Sequence, residues 1–90
     1  AHAGRAAATL HPFDGGRIRQ TVIAMTAGTS LGDHESPGEA TLQVLRGDVR
    51  LTWSGDALDL AAGDFAPLPP QRHGLEAAGD AVVLLTVALS

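Results

Sequence analysis

Turn-forming residues recur about every ten positions along this chain, and that spacing leaves room only for short strands between them. The turns sit at Phe13-Asp14-Gly15-Gly16, at Gly28 and Gly32, at Pro37-Gly38, and at Arg46-Gly47-Asp48, Ser54-Gly55-Asp56 and Ala62-Gly63-Asp64. Glycine and Asp at these points suit backbone conformations that most residues avoid. Residues 17–27 (RIRQTVIAMTA) are rich in β-branched side chains, alternate in their first half, and predict a strand. TLQVL and VRLTW flank Arg46-Gly47-Asp48 and read as a tight hairpin, after which Ser54-Gly55-Asp56 leads into ALDL. FAPLP, HGLEA and the apolar run VVLLTVAL (82–89) complete the series. Residues 1–8 read as a loose arm leading to a short strand near Thr9–His11, and LGDHESPGEA (31–40) reads as turn formers and charges. No segment carries a helical period, so an all-β sandwich or barrel follows.

Ninety residues fit one domain, 1–90, and a monomer of this size buries a comparatively small share of its surface. Aromatics are scarce, so Leu, Val, Ala and Ile must fill the core around the lone Trp53. The run Val82–Leu89 lacks alternation and implies a strand covered on both faces, one of them by a second subunit; a homodimer is the expectation. A formal charge of −4 with no Lys/Arg run speaks against nucleic acid and against anionic membrane surfaces. Without cysteine, any metal must be held by His, carboxylate or water. The longest apolar run, 81–89, is too short for a membrane-spanning helix, and a cytoplasmic location is the default expectation.

From Gly28 onward the spacing resembles the first motif of the cupin family, G-x5-H-x-H-x3-E-x6-G. Gly28, His34 and Gly47 match it, while Ser36 stands where the second His falls and Ala40 where the Glu falls. The second cupin motif, G-x5-P-x-G-x2-H-x3-N, is matched by Gly63, Asp64 and Pro69. Gln71 replaces a Gly, and His73 arrives one residue early. SPGEATLQVLRGDVRLTW followed by AAGDFAPLPPQRHGLEA looks like small bacterial single-domain cupins, and the resemblance covers roughly residues 17–89. It implies a small double-stranded β-helix, the jelly-roll barrel of RmlC-like proteins. In that family two His on one strand face, a third from a facing strand and a carboxylate hold Fe, Mn, Zn or Ni with open positions. Here His34 and His73 are what remains of that set.

Two functional readings follow, and a fold alone does not choose between them. In the first, the barrel binds a small organic ligand, with His34, Ser36 and His73 as polar groups, Leu42 and Val44 as apolar walls, and Arg72 at the mouth for a carboxylate or phosphate. In the second, the chain is a metal-dependent oxygenase or isomerase with His34 and His73 as ligands to a divalent transition metal. The imidazole pair also suits general acid–base work, but no nucleophile accompanies it. Trp53 reads as core packing, with ligand stacking as the alternative.

Overall fold

The structure, a computed structural model, describes residues 5–10, 16–34, 39–68 and 72–88. Within them every regular element is a strand: β1 (Arg5–Leu10), β2 (Ile18–Met25), β3 (Ser30–His34), β4 (Glu39–Arg46), β5 (Asp48–Trp53), β6 (Asp56–Ala61), β7 (Phe65–Pro67), β8 (His73–Ala77) and β9 (Ala81–Ala88). Two antiparallel sheets result. One has the order β1-β2-β9-β4-β7 and the other β3-β8-β5-β6, with non-sequential neighbours in both, as in a jelly roll.

Alternation along the strands decides what lies between the sheets. On β4, Ala40, Leu42 and Val44 are buried; on β5, Val49 and Leu51; on β8, His73, Leu75 and Ala77; on β9, Ala81, Val83 and Val87. These positions repeat every second residue, so each strand turns one face to a common core. Val44, Val49, Val83 and Leu51 are its most enclosed side chains. Shape-restricted valines packing at this depth give a small barrel a defined interior despite its few aromatics.

Three readings of the sequence are corrected. First, β1 begins at Arg5, inside the stretch expected to be a loose arm, because six residues pair in unbroken register with β2, from Arg5 opposite Met25 to Leu10 opposite Gln20. The alanines there have little strand propensity of their own, and the ladder holds them. Second, Ser30–His34 form a strand rather than a turn region, paired with β8 through a bulge between Leu31 and His34.

Third, β4 and β5 are not a hairpin. They belong to different sheets, and Gly47, at φ +80°, carries the chain from one to the other. A Cβ at Gly47 would fall onto the main-chain carbonyl oxygen of Asp80, so the corner needs glycine for close approach as well as for its left-handed backbone. The true two-residue hairpin is Ser54-Gly55 between β5 and β6, with φ of 44° and 82° and Trp53 opposite Asp56.

The end of the sandwich near Gly47 is tied together by polar contacts. Ala27 N–H donates to Asp80 Oδ1 at 2.9 Å, Gly28 N–H to the Ala77 carbonyl at 3.0 Å, and Ala78 N–H to the Asp48 carbonyl at 3.1 Å. On the same end, the β6–β7 turn clasps β4: Gly63 N–H donates to the Val44 carbonyl at 2.7 Å and Val44 N–H to the Asp64 carbonyl at 2.9 Å. This end is a floor; the opposite end carries the register row of His34, His73 and Trp53.

Candidate functional site

One transverse row of the second sheet collects the polar and aromatic residues of that opposite end. His34 on β3 is the register partner of His73 on β8, and His73 is in turn the partner of Trp53 on β5. The pairing brings together two histidines 39 positions apart in sequence, as the motif spacing implied. His73 is only 2% exposed, the one buried residue with an ionisable side chain among those described. Its side chain enters a cavity between the sheets. The first sheet contributes Ile23, Leu42 and Leu85 to the walls. Leu31, Leu51 and Leu75 come from the second sheet, and Leu68 follows β7, tied to β4 by its N–H donating to the Ala40 carbonyl at 2.9 Å.

The cavity volume is about 30 Å³. Space of that size holds about one water molecule and falls well short of a whole drug-sized ligand. Seven of its eight lining residues are Leu or Ile, so His73 is the sole polar feature of the wall.

Each residue expected at the site can now be placed. Leu42 and His73 line the cavity. Val44 faces the same interior but belongs to the packed floor, fully enclosed, and is not part of the cavity wall. Arg72 is exposed and does not reach the interior; it borders an open groove of about 340 Å³ on the outside of the second sheet, with Trp53, Ser54 and Glu76. It lies one residue before the start of β8. The His34 side chain and the whole of Ser36, Pro69 and Gln71 lie outside the described residues. Trp53 is half-buried and packs against the core, as its packing reading implied. Ile23, Leu31, Leu51, Leu68, Leu75 and Leu85 were missed as wall residues; for those on strands, their inward positions on the two facing sheets were the available signal.

Among the described residues the donor set does not amount to an ion cage. Ala40, at the position of the family's glutamate, is a buried methyl that offers no ligand, and the remaining walls are aliphatic. Among the described residues no group of three or more His, Asp or Glu is placed to hold a metal.

No family model and no curated protein matches the sequence. Solved structures do match. A cupin superfamily protein from Desulfitobacterium hafniense superposes with a TM-score of 0.86 at 20% identity, covering 96% of this chain and 78% of that one. An RmlC-like cupin from Shewanella frigidimarina gives 0.84 at 20% identity, covering 97% and 78%. The chain has the cupin fold. The chain is also similar to salicylate 1,2-dioxygenase from Pseudoaminobacter salicylatoxidans, at a TM-score of 0.82 and 23% identity over 94% of this chain, but it spans only 26% of that enzyme. Among the described residues no helix is long and apolar enough to cross a membrane.

Proposed function

We propose that this cupin domain is a small-molecule binding module in which His73 recognises the tip of an organic ligand. The observation that carries the reading is a buried imidazole aimed into a cavity whose other walls are aliphatic. A pocket of that make-up orients a ligand through its one polar group and gains affinity from apolar contact. At about 30 Å³ the interior admits a compact apolar group bearing a single hydrogen-bonding atom, while the remainder of the ligand lies toward the Trp53 end. His34, through its register with His73, and Ser36 belong to the same reading as further polar contacts.

The test is titration with a series of alcohols and carboxylic acids of increasing chain length, followed by the fluorescence of the lone Trp53. Saturable one-to-one binding is expected, weakened about tenfold or more by His73→Leu, since a buried hydrogen bond to a ligand is worth that much. No saturable response, or one that His73→Leu leaves unchanged, would overturn the reading.

A second reading, a metal-dependent oxygenase or isomerase, draws on the His34–His73 register pair and on the likeness to the dioxygenase. Elemental analysis of untagged protein separates the two. One tightly held Fe, Mn, Ni or Zn per chain, lost in the His34→Ala/His73→Ala variant, would favour it over the first.

A further inference from the structure

The inward side chains stack in levels between the sheets. Nearest the Gly47 end, Val44 and Val83 are register partners on the first sheet, and Val49 and Ala77 on the second, all of them buried. Two residues further along the strands, Leu42 pairs with Leu85, and Leu31, Leu75 and Leu51 form one row across β3, β8 and β5. The next step on the second sheet reaches His73 and Trp53. The cavity of about 30 Å³ lies at the leucine level, with His73 on its mouth side and Ile23, the partner of Val83, closing it from below. Same-face rows are about 7 Å apart along a strand, so the space is one level deep.

On the binding reading proposed above, we infer that the buried tip of the ligand is an uncharged methyl ketone or methyl carbinol, and that the Leu42–Leu85 pair sets its size limit. An oxygen at the tip reaches His73, and a methyl beside it meets only aliphatic walls. A carboxylate in the same place would exchange water for seven aliphatic side chains and one imidazole, and an ion so poorly solvated is costly to bury. Branching is limited by packing. Leu42 is 2% exposed and has Leu85 on one side and Ala66 on the other as register partners, so it cannot withdraw, and each added methyl presses on a close-packed wall. Leu85 is half-buried at the margin of the core, and its truncation widens the space with less loss of stability than truncation of Leu42.

The experiment is calorimetric titration at neutral pH with four compounds that share a hexyl tail, namely hexyl methyl ketone, hexyl isopropyl ketone, hexyl tert-butyl ketone and heptanoate, with circular dichroism confirming the fold of each variant. Hexyl methyl ketone is expected to bind saturably, the isopropyl ketone and heptanoate each about tenfold or more weaker, and the tert-butyl ketone weaker still. Leu85→Ala is expected to bring the isopropyl ketone to within about threefold of the methyl ketone while leaving heptanoate weak. If Leu85→Ala does not fold, Leu85→Val carries the same test with a smaller gain. No saturable binding of any of the four would overturn the binding reading and the tip assignment with it. Ketones that bind alike whatever their tip, heptanoate as tight as the methyl ketone, or a folded Leu85 variant that still excludes the branched ketones would overturn the size and charge limits alone and leave the binding reading standing.

Discussion

Trp53 on β5 stands opposite His73 on β8, so the one indole of the chain is the cross-strand neighbour of its buried imidazole. Directly opposed residues in an antiparallel pair have Cβ atoms about 5 Å apart and share a face. Trp53 therefore reports on the cavity from beside its polar wall. His73→Ala enlarges that cavity and is expected to cost about 1–3 kcal/mol, with the Trp53 emission moving to longer wavelength as water gains access. Urea titration followed by fluorescence measures both. An unchanged emission maximum would separate the two side chains.

Gly47 and Gly55 both hold positive φ, yet their surroundings differ. At Gly55 an added Cβ meets open space, so Gly55→Ala carries backbone strain alone, about 1 kcal/mol. At Gly47 the added methyl collides with main-chain atoms of Asp80 and Ala81, which cannot swing aside. Gly47→Ala is expected to cost at least about 3 kcal/mol, a large part of the stability of so small a domain. Denaturant midpoints of the two variants compare them directly, and equal losses would remove the role assigned to the corner.

Ala40 is 6% exposed and faces the interior. Restoring the family's carboxylate there by Ala40→Glu buries an acid among aliphatic neighbours, with an expected loss of about 3 kcal/mol or more at neutral pH that shrinks in mild acid as the carboxyl takes up a proton. Thermal unfolding across that pH range reads the effect. A variant as stable as the parent at neutral pH would mean that the site already accepts charge.

The Arg50 guanidinium donates to Asp59 from Nε at 2.8 Å and from Nη2 at 3.3 Å, and holds the Asp59 carboxyl below its usual range. Because the folded-state value is the lower one, the contribution to stability is present above the ordinary carboxylate range and fades as pH falls through the folded value. Both side chains are more than half exposed, which keeps the contribution small. Asp59→Asn should lower the melting temperature slightly at neutral pH and low salt, with no difference in acid or in molar salt. A large effect insensitive to salt would contradict this account.

The all-β class was legible because its signals are local: alternation within strands, and turn residues between them; the jelly roll came from the family resemblance. What escaped was partnership. Nothing in TLQVL-RGD-VRLTW distinguishes a hairpin from a corner, since Gly47 serves both, and the choice is made by Asp80, 33 positions away. Ala-rich β1 carries no strand signal of its own and forms because β2 offers a ladder. At the site, motif spacing found the His34–His73 pairing. It did not find the aliphatic walls, because any inward leucine looks like core until the cavity beside it is seen. Arg72 was assigned to the mouth from its adjacency to His73, yet it precedes β8 and borders the outer groove with Trp53 and Glu76.

Asp80 accepts from the Ala27 N–H through its carboxylate and abuts Gly47 through its carbonyl, closing one end of the molecule. On the reading proposed above, a molecule held at His73 departs past the Trp53 row, so changes at the Asp80 end should alter how long the domain survives without altering how fast its guest leaves.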